Sequence, residues 1–165
     1  MKHTFYKVIK PDSSDKFPSH GETAKIFLAG SIEMGSATDW QVKIENELKE
    51  LPVTIYNPRR ESWDSSWEQR ESNDQFRKQV NWEMDKLEQS DIIFFNFVGD
   101  TKSPISLLEL GLHANENIIV CCPDEFWRKG NVEIVCSRFG IPLFDNLDLA
   151  IASLKSKIHK FTYII

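Results

Sequence analysis

Residues 91–97 read Asp91-Ile92-Ile93-Phe94-Phe95-Asn96-Phe97, an apolar run with almost no alternation. A strand with one wet face alternates apolar and polar side chains. A run without alternation fits a central parallel strand covered on both faces. Its neighbours then need crossover connections, which are usually helices.

The rest of the chain supplies them. Lys25–Ala29 reads as a first strand ending at Gly30-Ser31, and a helix follows from about Asp39 to Glu50, with Trp40, Ile44 and Leu48 at four-residue spacing. Val53–Tyr56 is a second strand. A polar stretch, 59–73, is long for a connection in a compact domain, and such loops usually carry function. A second helix runs from about Asp74 to Gln89. Ser103-Pro104 opens a third, with Ser as N-cap and Pro at the first position. Asn117–Cys122 is the fourth strand. A helix near Asn131–Arg138, a short strand at Ile141–Phe144 and a helix at Leu147–His159 complete the chain. This predicts an α/β fold, a doubly wound five-stranded parallel sheet in three α/β/α layers with the flavodoxin-like order 2-1-3-4-5. The 165 residues suit one domain, 25–165, behind an N-terminal extension, 1–24. Ligands of such sheets bind outside the carboxyl ends of the strands.

Charge narrows the partners. Twenty basic against 25 acidic residues give −5, with no cluster of Lys or Arg. That surface disfavours a nucleic acid polymer but leaves room for a small ligand in a local pocket. Cys121, Cys122 and Cys136 read as reduced packing thiols. The four His residues lack metal-ligand spacing, so no metal is expected. No apolar run reaches the roughly 18 residues that span a bilayer, and no secretory signal is visible. We expect a cytoplasmic protein without membrane contact.

Two acids stand out. In the second helix, Phe76, Val80, Met84 and Leu87 make an apolar stripe, and at 100° per residue Glu83 falls within it. In the third, Ile105, Leu108 and Leu112 make the stripe, with Glu109 about 40° from Ile105 and about 60° from Leu112. A carboxylate there costs several kcal/mol unless it is paired or protonated. Buried acids are often members of structural ion pairs. Glu109, however, sits in the second turn of a helix that begins where the third strand ends, so it can line the mouth of the sheet. Two such acids at one pocket suit glycosidic chemistry, one attacking the anomeric carbon and one serving the proton of the leaving group.

At these residues the sequence resembles the nucleoside 2-deoxyribosyltransferase superfamily, including its 2'-deoxynucleoside 5'-phosphate N-hydrolase branch. The resemblance runs from Ile26 to about Leu149. Phe27-Leu28-Ala29-Gly30-Ser31-Ile32 is similar to the family's first strand and glycine turn, and Leu108-Glu109-Leu110-Gly111 to its nucleophile motif. It implies Glu109 as nucleophile and Glu83 where the family usually has an Asp acting on the base. It implies substrate contacts at Gly30, Ser31 and Ile32. Ser103 falls where the transferases carry a sugar-binding Asp and the hydrolases a phosphate-binding Ser. Asn131 falls near an Asn that transferases lend to a neighbouring subunit's site. The family's first-strand aromatic is replaced by Ile26.

Ser103 and the Gly30 turn favour a 5'-phosphate, whereas Glu33 would repel one. Arg59, with Arg60, offers compensating charge. Trp63 and Trp67, on the long loop, offer indoles for stacking on a base, and Asp64 a contact to sugar or base. The combination of Trp63-Asp64-Ser65-Ser66-Trp67-Glu68 with Thr101-Lys102-Ser103-Pro104-Ile105-Ser106 is similar to a subgroup described as deoxyribosyltransferase-like. The resemblance implies a small-molecule nucleoside or nucleotide substrate, no cofactor, and a homodimer or higher homo-oligomer. The expected activity is cleavage of an N-glycosidic bond through a glycosyl-glutamate, with transfer to another base or to water. Alternatives are a 5'-monophosphate N-glycosidase and a non-catalytic nucleotide sensor. A flavodoxin-like electron carrier fits poorly, because 31–36 is not a phosphate-cradling loop rich in Ser and Thr.

Overall fold

A computed structural model describes residues 5–13, 23–33, 37–61 and 64–162. Among these residues the sheet has six parallel strands: β1 (Lys7–Ile9), β2 (Ala24–Gly30), β3 (Val53–Tyr56), β4 (Ile92–Asn96), β5 (Ile118–Cys121) and β6 (Leu143–Phe144). Their order is β1-β3-β2-β4-β5-β6. Without β1 this is the expected doubly wound order. The sequence predicts five strands rather than six because β1 is a three-residue edge strand. It pairs only with β3, and so short a segment carries no period.

The helices are α1 (Trp40–Leu48), α2 (Asp74–Gln89), α3 (Pro104–Leu112), α4 (Lys129–Phe139) and α5 (Leu147–Thr162). Local chemistry sets their starts. Asp39 caps α1 by accepting from the Val42 N–H, and Asn73 caps α2 by accepting from the Phe76 N–H at 2.9 Å. Gly140 ends α4 in the left-handed conformation with φ 65°.

The two apolar layers explain the unbroken strands. On one face Phe27, Ala29, Ile93, Phe95 and Val120 pack with Leu87 of α2, Leu110 of α3 and Val132 of α4. On the other, Ile26, Leu28, Ile92, Phe94 and Ile119 pack with Ile44 of α1 and Leu154 of α5. Successive strand residues therefore enter opposite layers, and both must be apolar. Cys121, Cys122 and Cys136 are free and buried, and burial pushes their thiols up to about 11, 12 and 11.

Two stripes face differently from the sequence reading. Ile105, Leu108 and Leu112 of α3 are 60%, 59% and 65% exposed, while Ser106 and Leu110 are buried and Leu107 packs on the core. Met84 of α2 is also exposed. Almost every position of α3 is apolar, so helical period alone could not say which stripe meets the sheet. Gly30 ends β2 with φ 136°. A Cβ there would lie 2.1 Å from the Asn96 carbonyl oxygen, so the turn out of β2 admits only glycine.

Candidate active site

β2 ends beside β4, its partner from Ile26 to Gly30, under the face that carries α2 and α3. Phe27 and Ala29 point to that face. Between them and the two helices lies a cavity of about 490 Å³. That volume lies in the range of small-molecule sites. Phe27, Ala29, Gly30 and Ile32 form its floor, Phe76, Gln79, Val80 and Glu83 one wall, and Ser103, Ile105, Ser106, Leu108 and Glu109 the other.

Glu83 and Glu109 thus enter one cavity from different helices. Burial pushes Glu83 up to about 7, against a bond from Gln79 and the Arg60 charge, which act downward. Burial pushes Glu109 up to about 8, and the nearby Glu83 adds to the rise. The pair therefore titrates around neutral pH and passes there through a state with one proton, the condition in which one acid can donate and the other attack. Glu83 Oε1 accepts from Gln79 Nε2 at 2.6 Å. The Glu109 carboxyl has no hydrogen-bond partner among the described residues, so it is not consumed by a structural ion pair.

The start of α3 is held by a knot of hydroxyls. Ser31 Oγ lies 2.7 Å from Thr101 Oγ1 and 2.6 Å from Ser103 Oγ, and accepts from the Val98 N–H at 2.9 Å. Ser103 therefore does not cap α3 with its side chain. It sits at the N-cap position with φ 47°, left-handed for a non-glycine residue. Pro104 holds the first position as expected. Across from it Glu33 also has φ 47°, and its Oε1 accepts from the Lys102 and Ser103 N–H groups at 3.0 and 2.8 Å. Ser106 Oγ donates to the Gly30 carbonyl at 2.8 Å, tying α3 to the end of β2.

The residues singled out from sequence divide into three groups. Glu83, Glu109, Gly30, Ile32 and Ser103 meet at the cavity. Ser31 lies beneath it, fully buried in the hydroxyl knot. The others stand apart. Arg59 turns to α1, donating to the Ala37 carbonyl at 2.7 Å, and Trp67 packs under the Arg60 guanidinium at 5.3 Å. Asp64 closes its own turn by accepting from the Ser66 hydroxyl and N–H, which hold its carboxyl below the usual range. Asn131 lines a separate groove between α3 and α4 with Leu107, Leu110 and Val132. Trp63 lies outside the described residues.

Gln79, Arg60, Phe27 and Ser106 complete the walls, and of these the sequence gives a role only to Arg60, as positive charge beside Arg59. The four-residue step from Gln79 to Glu83 is a readable signal, since side chains so spaced meet on a helix. For Phe27 no such signal exists, because it reads as core.

The family model described as nucleoside 2-deoxyribosyltransferase like matches residues 23–126, from the start of β2 through Phe126. A crystal structure of a conserved protein from Enterococcus faecalis V583 is similar with a TM-score of 0.50 and 12% identity, over 87% of this chain and 100% of that one. At that identity the likeness bears on fold alone. No curated protein sequence matches the chain.

Proposed function

The chain belongs to the nucleoside 2-deoxyribosyltransferase-like family, and from that premise we propose that it cleaves the N-glycosidic bond of a nucleoside through a covalent glycosyl-glutamate on Glu109. One observation carries the reading: two desolvated carboxyls, on facing helices, share a cavity of nucleoside size.

In the first half-reaction a Glu109 carboxylate oxygen bonds to C1' as the C1'–N bond breaks, and the Glu83 proton passes to the departing base. In the second, a base or water attacks C1', the ester breaks, and Glu83 recovers a proton from the incoming group. The configuration at C1' is retained overall. Phe27, Phe76 and Val80 offer the apolar surface a base requires. A homo-oligomer and a cytoplasmic site of action belong to the same reading. No helix among the described residues is long and apolar enough to cross a membrane.

Glu33 favours an unphosphorylated nucleoside over the 5'-monophosphate. Its carboxylate already takes the two amide donors at the start of α3 where a phosphate oxygen would otherwise be received. The test is a product chromatogram from a panel of nucleosides and 5'-monophosphates, with and without an acceptor base. Base release from nucleosides by the wild-type protein, absent in Glu109→Gln, is the expected result. Undiminished release in that variant would remove Glu109 as nucleophile. Binding without turnover across the panel would make the protein a sensor.

A further inference from the structure

Glu83 is reached by a chain of polar contacts from outside the cavity. Gln79 is 2% exposed, and its amide is fully engaged. Arg60 Nε donates to Gln79 Oε1 at 2.5 Å, and Gln79 Nε2 donates to the Pro58 carbonyl at 3.3 Å and to Glu83 Oε1 at 2.6 Å. A guanidinium can only donate and a carbonyl can only accept. The amide is therefore satisfied in one orientation, oxygen toward Arg60 and NH2 toward Glu83. Turning it over would set donor against donor at Arg60 and acceptor against acceptor at Pro58.

That orientation constrains the acid. Glu83 Oε1 faces an N–H donor and must accept, so a proton on the carboxyl sits on Oε2, which no described residue bonds. We propose that Arg60 and Gln79 are positioning residues that hold Glu83 with its proton on Oε2, the oxygen left free for a departing base. This rests on the reading of Glu83 as proton donor. Arg60 is itself set from two sides: it pairs with Asp12, just beyond β1, and its guanidinium lies over the Trp67 ring. The N-terminal strand, outside the family match, and the long loop thus bear on the acid through one side chain.

The same contacts set the strength of the acid, because they favour the carboxylate and so ease release of its proton to a base. The Gln79 bond and the Arg60 charge both act to lower Glu83 against its burial. The other titratable groups of the cavity wall are Glu109 from α3 and Glu33 from the β2–α1 connection, while β2 contributes only Phe27, Ala29 and Gly30. On α2 itself the nearest cation, Lys86, lies over the Tyr56 ring.

The experiment is a carboxyl 13C NMR titration of glutamate-labelled full-length protein, with Glu83 assigned through Glu83→Gln. Gln79→Met and Arg60→Met are expected to raise the Glu83 midpoint by about one unit, and Arg60→Lys, which keeps charge and a donor, to return most of it. With substrate, both Met variants are expected to lower kcat about tenfold while KM stays within twofold. A midpoint unmoved in Arg60→Met overturns the proposal, as does an equal loss in kcat and gain in KM. Arg60 lies at the cavity rim, so its variants carry the readout even where buried Gln79→Met fails to fold. The titration needs no substrate. Failure of base release would strike the glycosidase reading, whereas an unmoved midpoint would strike the positioning role.

Discussion

Replacing Glu109 by Gln removes a group whose proton is held far above its ordinary range, and the effect on stability must depend on pH. The carboxyl rises from 4.5 to about 8 on folding. Between those values the unfolded chain has lost the proton and the folded chain keeps it, so unfolding releases a proton. Stability from this group is full below about 4.5, declines as pH rises, and is gone above about 8. A rise of about 3.5 units at 1.36 kcal/mol per unit is on the order of 5 kcal/mol. Contact with cavity water reduces this, and about 2–3 kcal/mol is the expected magnitude. The amide that replaces the carboxyl does not titrate, and any cost of leaving it unbonded is the same at every pH. Urea unfolding of wild type and Glu109→Gln at pH 5, 7 and 9 is the assay. The variant is expected to gain about 2–3 kcal/mol relative to wild type between pH 5 and 9, or roughly 5–10 °C in Tm. A stability difference that stays constant across that range would refute the desolvation of Glu109.

The same pair governs the rate. With Glu83 near 7 and Glu109 near 8, kcat/KM is expected to follow a bell whose crest lies between those values, where the pair holds one proton. Glu83→Gln removes both the donor acid and the charge that raises Glu109, so the bell is expected to become a single ascending limb set by Glu109 below about 8, with about 100-fold less turnover in a pH-rate series. Gly30→Ala drives a Cβ onto the Asn96 carbonyl at 2.1 Å and is expected to cost about 3 kcal/mol or more, read by urea midpoint. The exposed row Ile105, Leu108 and Leu112 beside the cavity mouth is expected to be covered by a second copy. Light scattering at micromolar concentration is expected to give at least a dimer, and Leu108→Asp a monomer. A monomeric wild type would count against that.

The layered sheet was legible because its strands obey a two-sided demand. Ile92 and Phe94 serve one layer, Ile93 and Phe95 the other, and no exposed strand tolerates that composition. Helix starts were legible where the cap is local, as at Asn73, whose side chain meets the Phe76 N–H. Ser103 shows where that logic stops. Its hydroxyl is claimed by Ser31, 72 residues away, and no local rule contains that partner. β1 escaped for a related reason: its place is set by pairing with β3, 47 residues on, not by its own pattern.

The two acids are found in the sequence by an argument whose physical premise changes in the structure. Sequence places them on stripes facing the core. Those stripes are in part turned outward, with Met84 and Leu108 exposed. What desolvates Glu83 and Glu109 is the cavity wall, built by α2 and α3 standing apart over Phe27 and Ala29. The distinction matters for chemistry. A carboxyl sealed in a core can keep its proton but cannot meet a substrate, whereas one lining a narrow apolar cavity loses most of its water and stays reachable. The helices reach that spacing because Ser106 binds α3 to the end of β2, while Gln79 ties α2 to Pro58 after β3. The carboxyl ends of β2 and β3 thus set both the gap and the acids across it. Closing the gap with bulk at Val80, as in Val80→Trp, is therefore expected to abolish turnover and nucleoside binding together while the fold persists by circular dichroism. Retained binding in that variant would mean the substrate does not lie between the two helices.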